Sequence, residues 1–221
     1  MSEPSDHPRE HAGASVWRNW AGDQSSAPQA WERPASLAEL SACVQRAAGA
    51  GLPVRVLGSG HSFSDIARGE GVVVSLERMR AVLDVDRSSC LVRVQGGITV
   101  GELGRALDAH GLALENVGDI DVQTIAGAIS TATHGTGAHL RNLSAQVHEL
   151  TLVLADGSTL SCSQQADAEV WRAARVGLGS LGAIAEVTLR CVPAFTLHGV
   201  DAPAPLEQVL EDFDELALAN D

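Results

Sequence analysis

Hydrophobic and polar positions change period several times along this chain, and each change marks an element. Residues 1–15 carry no apolar cluster and no periodicity, so they are expected to be a disordered tail, with order starting near Val16-Trp17-Arg18-Asn19-Trp20. Pro34 stops any earlier helix, and Ser36 with Glu39 forms a capping-box pattern. Leu37, Leu40, Val44 and Ala47 then recur at helical spacing until Gly49–Gly51. A short strand, Val54–Leu57, runs into Gly58-Ser59-Gly60-His61-Ser62; further strands are expected at Val72–Leu76, Val82–Val85 and Leu91–Val94. Thr99 and Glu102 repeat the capping-box pattern and open a second helix with Val100, Leu103 and Leu107 on one face, ending at Gly111.

The stretch Asn116–Gly137 is dominated by Gly, Ala, Thr and Ser and has too little bulk for an ordinary amphipathic helix. Strands resume at Leu150–Leu154 and Thr159–Cys162, joined by Asp156-Gly157, a strong hairpin signal. A short helix near Asp167–Arg175 leads through Gly177–Gly182 to a strand at Ile184–Val192, which Pro193 ends. A last helix, Leu206–Leu218, carries Val209, Leu210, Phe213 and Leu216 as an apolar stripe. Two helix-plus-strands units result. They predict an α+β protein of two subdomains, with the change of subdomain near residues 98–115.

Composition narrows the chemistry. The chain has 221 residues, 45% hydrophobic and 19% charged, which fits a globular protein with a real core. All 15 basic residues are arginine, and tyrosine is absent. A lysine Schiff base, a P-loop and tyrosine acid/base catalysis are therefore excluded. A formal charge of −13 repels phosphate backbones, so no nucleic-acid partner is expected. Cys43, Cys90, Cys162 and Cys191 have no CxxC spacing, which argues against zinc and a redox pair and for a reduced, cytoplasmic protein. No apolar run approaches the ~20 residues of a membrane span, and no secretory signal or membrane anchor is visible.

Four segments stand out. Gly58–Ser62 is either a tight turn bearing a surface histidine or a loop whose amides face an anionic ligand. In the second case His61 would serve as acid/base, metal ligand or attachment point. It is not a GxGxxG fingerprint. Thr124–Gly137 is either a small-residue packing seam or a backbone surface exposed to something bulky and planar. Asp119, within Asn116–Ile120, reads as a turn residue, and Gly177–Gly182 as a plain connection. No GxSxG elbow is present, and the remaining histidines lack metal-ligand spacing, so no metal is expected.

Taken in order, Asn19-Trp20-Ala21-Gly22, Arg55–Phe63, Asn116–Ile120 and Ala126-Gly127 through Thr133-His134-Gly135-Thr136-Gly137 resemble the FAD-binding half of the vanillyl-alcohol-oxidase superfamily. Within it the chain is most similar to the aldonolactone oxidases, of the D-arabinono- and L-gulono-1,4-lactone type, and the alditol oxidases. The resemblance covers Val16 to Leu197 and implies a two-subdomain, PCMH-type FAD-binding fold over residues 16–197. It implies that Val56, Leu57, Gly58, Ser59, Gly60, His61 and Ser62 wrap the FAD pyrophosphate and that His61 is bonded to the flavin 8α-methyl. Thr124, Gly127, Thr131, Ala132, Thr133 and His134 align to a second FAD-contacting stretch, Gly118 and Asp119 to a pair against the flavin ring, and Ile184 to a position near the adenine.

The resemblance further implies an oxidase. Hydride passes from a C–H beside a hydroxyl of a sugar lactone or polyol to the flavin, and oxygen reoxidises it to give hydrogen peroxide. A small residue at 118 leaves room for oxygen. Asp119 departs from the serine of the alditol oxidases, which leans towards aldonolactones over xylitol or sorbitol. Family members are about twice this length, and their other half supplies the catalytic side chains. No catalytic residue is therefore assigned in this chain, residues 198–221 are expected to begin a truncated substrate domain, and a catalytically dead interaction module is the alternative. Some aldonolactone oxidases associate peripherally with membranes.

Overall fold

The computed structural model describes residues 16–219, so the expected tail at 1–15 lies outside the described residues. The described chain opens on a two-residue antiparallel ladder, β1 (Trp17–Arg18) on β2 (Ser25–Ser26). Three parallel strands follow: β3 (Ala30–Glu32), β4 (Val54–Leu57) and, between them in the sheet, β5 (Val72–Ser75). Helix α1 (Leu37–Gly49) connects β3 to β4. Ser36 caps it by accepting the Glu39 N–H at 3.2 Å. The Glu39 carboxylate takes the Ala35 N–H at 2.9 Å rather than that of Ser36, one residue outside a regular capping box. Leu40, Val44 and Ala47 are buried, as the helical spacing requires.

The second sheet is antiparallel throughout. Its strands are β6 (Val82–Asp86), β7 (Leu91–Gln95), β9 (Val147–Val153), β10 (Thr159–Ser163) and β11 (Ala183–Arg190), in the spatial order β10-β9-β11-β7-β6. The chain therefore changes sheets between Ser75 and Val82, ahead of the 98–115 stretch where the sequence places the change of subdomain. The reason is long-range pairing: β7 joins β11, about ninety residues later, and draws the β6–β7 hairpin with it. Between β7 and β9 lie α2 (Val100–Asp108), the short strand β8 (Leu112–Ala113) and α3 (Ile125–Ser130). Helix α2 has the complete capping box of Thr99 and Glu102. Helix α4 (Ala168–Ala174) follows β10, and β12 (Val192–Pro193) pairs with β8.

Each face of the second sheet is buried against something different. Val92, Val94, Leu150, Leu152, Val187 and Leu189 face α2, α3 and α4. On the other face, Val153, Ala183 and Ala185 pack with Leu40, Val44 and Ala47 of α1 and with Val72 and Val74 of β5. Helix α1 thus packs against both sheets. The alternation along β11 shifts at a bulge between Ile184 and Glu186. That extra residue puts Ile184, three positions before Val187, into the same core as Val187 and Leu189.

Two expectations need correction. The small-residue stretch Asn116–Gly137 does hold a helix, α3, because Thr124 caps it and Ile125, Ala126, Ala128 and Ile129 are all buried. Tertiary packing stabilises it where amphipathic bulk does not. The single helix expected over Leu206–Leu218 is two, α5 (Leu206–Glu211) and α6 (Phe213–Ala219), broken at Asp212 with φ −94° and ψ 8°. Four acidic side chains crowd the break, and Leu206, Leu210, Phe213 and Leu216 remain exposed, so no packing holds the helix straight.

Close backbone contact at Gly96-Gly97 ties the end of β7 to β11 and to the link that leaves the parallel sheet after β5. The Gly96 N–H donates to Ala185 O at 2.8 Å and the Gly97 N–H to Met79 O at 3.0 Å. A Cβ on Gly97 would stand 2.0 Å from Leu76 O. Gly97→Ala is expected to destabilise the fold by about 2 kcal/mol or more, read as a fall in the urea midpoint. Gly104→Ala, on the open face of α2 with nothing near its Cβ, is expected to stabilise by about 0.5–1 kcal/mol. Equal effects at the two sites would show that the junction has slack.

Candidate functional site

An open cleft lies where β4 ends, β11 begins and α3 starts. One wall is the run Val56 to Ser62. Opposite are Thr124, Gly127 and Thr131 on and around α3, and Ile184 on β11. The strand and helix ends bring these segments together although more than a hundred residues separate their extremes.

The Gly58–Ser62 loop is built for close approach. Gly60 has φ +71°, a left-handed conformation that favours glycine. A Cβ on Gly58 would lie 2.6 Å from Thr124 Oγ1, so glycine is what allows the loop to meet the start of α3. The same Thr124 oxygen accepts the Gly127 N–H at 3.2 Å. Ser59 Oγ donates to Val122 O at 2.5 Å, tying the loop to the segment before α3. From the other side, the Trp20 N–H donates to Gly60 O at 2.8 Å and Asn19 Nδ2 to Ser62 O at 3.0 Å. His61 is half-buried, and burial lowers its pKa below the ordinary 6.5, so the ring is neutral at pH 7.

The cleft therefore gathers eleven of the residues singled out from sequence: Val56, Leu57, Gly58, Ser59, Gly60, His61, Ser62, Thr124, Gly127, Thr131 and Ile184. It does not include Gly118, Asp119, Ala132, Thr133 or His134 in its lining. These form an adjoining packet. A Cβ on Gly118 would meet the Thr133 methyl at 2.7 Å. Thr133 Oγ1 accepts from Gln123 Nε2 at 3.2 Å, and Gln123 does line the cleft. Ala132 holds φ +55°, Asp119 is exposed, and the His134 ring bonds Gly135 O at 2.8 Å.

Sequence reasoning missed Leu76 and Gln123 on the cleft wall, and it named Ala126 within a motif without assigning it a contact. It also set aside Gly177–Gly182 as a connection, whereas Leu178, Gly179 and Gly182 face the cleft. Leu178, Gly179 and Gly182 all have positive φ (+52°, +75° and +142°), so the glycine density was the available signal. Among the described residues, no group of three or more His, Cys, Asp or Glu side chains is placed to hold a metal ion. No helix among them is long and apolar enough to cross a membrane.

An open cleft with a glycine loop on one wall and the hydroxyls of Thr124 and Thr131 on the other lets a phosphate-bearing ligand approach the backbone closely. A family profile described as an FAD binding domain matches residues 28–163. The chain belongs to that family. Its cofactor is FAD, and the α+β FAD-binding fold expected from the motifs stands. L-gulono-1,4-lactone dehydrogenase of Mycobacterium tuberculosis (strain ATCC 25618 / H37Rv) is 49% identical over 206 residues, which cover 93% of this chain and 47% of that protein. L-gulonolactone oxidase of Mus musculus is 41% identical over 198 residues, 90% of this chain and 45% of the relative. D-arabinono-1,4-lactone oxidase of Yarrowia lipolytica is 38% identical over 208 residues, 92% and 40%. The relatives are those the motifs imply, and the chain spans about half their length or less.

The Thr124 hydroxyl has two structural tasks here, capping α3 and meeting Gly58. Thr124→Val keeps its shape and removes the acceptor. It is expected to cost about 1 kcal/mol in chemical denaturation. A loss within experimental error would show that the cap is dispensable and that packing alone holds α3.

Proposed function

We propose that this chain is the FAD-holding portion of an oxidase that takes hydride from a hydroxyl-bearing carbon of an aldonolactone, of the L-gulono- or D-arabinono-1,4-lactone kind, and passes the electrons to oxygen as hydrogen peroxide. The single observation that carries the reading is the cleft. It brings the glycine loop, the α3 hydroxyls and Ile184 into one surface in a chain of the FAD binding domain family. In this reading Val56–Ser62 hold the pyrophosphate, and Ile184 lies near the adenine. Thr124, Gly127 and Thr131–His134 form the second contact stretch, and Gly118 and Asp119 lie against the ring. FAD, when bound, supplies the hydride acceptor. The neutral His61 ring offers a lone pair for a covalent bond to it, which burial supports. Residues 198–221 begin the second domain, and their exposed apolar stripe supports that. The substrate-deprotonating group belongs to the part of the relatives this chain does not span. Four free cysteines support a reduced, cytoplasmic setting.

A second reading, a dehydrogenase that shuns oxygen, is favoured by two observations. The Mycobacterium relative, at 49% identity, is named L-gulono-1,4-lactone dehydrogenase. The small residue at 118 also has a packing reason of its own, the Thr133 methyl, apart from any room for oxygen. Alditols remain the alternative substrates.

Expressed alone, the chain is expected to take up FAD and to keep its yellow colour in an acid precipitate. His61→Ala is expected to release that colour to the supernatant. In the intact protein, aldonolactones are expected to give peroxide in air at one equivalent per substrate, with xylitol and sorbitol poor substrates. Turnover only with a dye acceptor would replace the oxidase reading with the dehydrogenase one. A folded chain that takes up no flavin would remove both.

A further inference from the structure

Trp20 is 68% exposed, an unusual position for the bulkiest apolar side chain. Its indole is not idle there. It stacks on the His61 imidazole, with ring centroids 5.3 Å apart and planes 21° from parallel. Phe63 meets it edge-on at 6.3 Å and 88°. Such ring pairs attract each other beyond what burial alone supplies, which favours one ring orientation.

The backbone fixes this stack from three points. The Trp20 N–H bonds Gly60 O, Asn19 Nδ2 bonds Ser62 O, and Gln24 Nε2 reaches Phe63 O at 3.5 Å. These grip the loop on both sides of His61. Asn19 is 5% exposed, and its amide is fully engaged: Nδ2 also donates to Asp23 at 2.7 Å, and Oδ1 accepts the Gln24 N–H at 3.0 Å. The turn between β1 and β2 is thus a rigid clip. Neither ring nitrogen of His61 has a hydrogen-bond partner among the described residues. Histidines fixed by hydrogen bonds use up a nitrogen; this one is held by its face, and both nitrogens stay open.

We infer that Trp20 is the positioning residue for covalent flavin attachment, holding the His61 imidazole by stacking so that a ring nitrogen is free to bond the flavin 8α carbon. The inference rests on the proposed attachment through His61. In that step a His61 nitrogen forms one N–C bond. One proton leaves the 8α carbon and one leaves the imidazole, and dioxygen takes the two electrons and both protons as hydrogen peroxide. Trp20 takes no part in the bond changes. It removes the rotational freedom of the ring before they occur.

The ionisable groups on the elements around His61 are Arg18 and Asp23 on the clip, Arg55 on β4, Asp65 on the turn after the loop, and Asp119 and Asp121 on the segment that Ser59 reaches. Burial, not one of these charges, is what lowers the His61 pKa. A histidine lowered in the folded state gains its proton below 6.5, so attachment is expected to slow only as pH falls beneath that value.

The test compares wild type, Trp20→Phe and Trp20→Leu in the apo chain. Covalent incorporation of added FAD is followed by acid-stable flavin fluorescence. Reversible affinity is measured separately in a His61→Ala background, and the His61 pKa by NMR titration. Trp20→Leu is expected to slow attachment by about tenfold or more while reversible affinity holds. Trp20→Phe, which keeps a ring, is expected to restore most of the rate. The His61 pKa is expected to rise towards 6.5 in Trp20→Leu. A wild-type attachment rate in Trp20→Leu, or loss of reversible binding with it, overturns the positioning role. A wild type that binds FAD reversibly but never covalently overturns the proposed attachment, and this inference falls with it.

Discussion

Backbone has to touch backbone at Gly96 and Gly97, and the rest of the molecule is arranged around that contact. The two amides reach carbonyls on different elements, Ala185 on β11 and Met79 on the link between the sheets. The Ala126 N–H returns to Gly96 O at 3.0 Å, and the Ile125 N–H to Ile98 O at 2.8 Å, so α3 hangs from the same point. A Cβ at Gly96 would stand 2.4 Å from Ile184 O and 3.2 Å from the Ala126 Cβ. Leu76, Ala126 and Ile184, the neighbours that exclude a side chain at this junction, are also cleft-lining residues. The cleft is therefore not a gap between finished domains. Its floor is the seam that joins them.

Charge contributes little to that seam. Arg33–Glu77, Arg46–Glu32 and Arg93–Glu186 are solvent-accessible pairs, whose attraction water and salt screen. The apolar cores differ in scale. Leu40, Met79, Leu103, Ile125, Leu150 and Leu189 are fully buried, at about 1.5–3 kcal/mol each. Because α1 serves both sheets, its burial couples the parallel sheet carrying the His61 loop to the antiparallel sheet carrying Ile184. Loosening α1 would move one wall of the cleft relative to the other.

Local chemistry made much of this legible. Ser36 and Thr99 mark the starts of α1 and α2 because a cap is satisfied by neighbours three residues away. Asp156-Gly157 marks the β9–β10 hairpin for the same local reason. Features set by distant partners were not legible. The bulge between Ile184 and Glu186 exists to serve two cores at once, and the β8–β12 ladder joins residues some eighty apart. In the site, the contiguous Gly58–Ser62 loop could be read directly. Leu76 and Gln123 could not, since nothing beside them in sequence signals a ligand. Leu178 and Gly179 sat in a visible glycine cluster, but glycine density alone does not separate a wall from a connection.

Gly118 shows how far a small residue can carry a chemical argument. A missing side chain can be demanded by a neighbour or left open for a ligand, and the two leave the same letter in the sequence. At Gly58 and Gly118 the excluded Cβ would meet a protein atom, Thr124 Oγ1 or the Thr133 methyl, so packing suffices to explain each. At Gly179 it would meet nothing within 4 Å, and the residue faces the cleft. Its glycine answers to a positive φ rather than to crowding. The glycine at 118 is therefore accounted for by the Thr133 methyl, with no ligand needed to explain it.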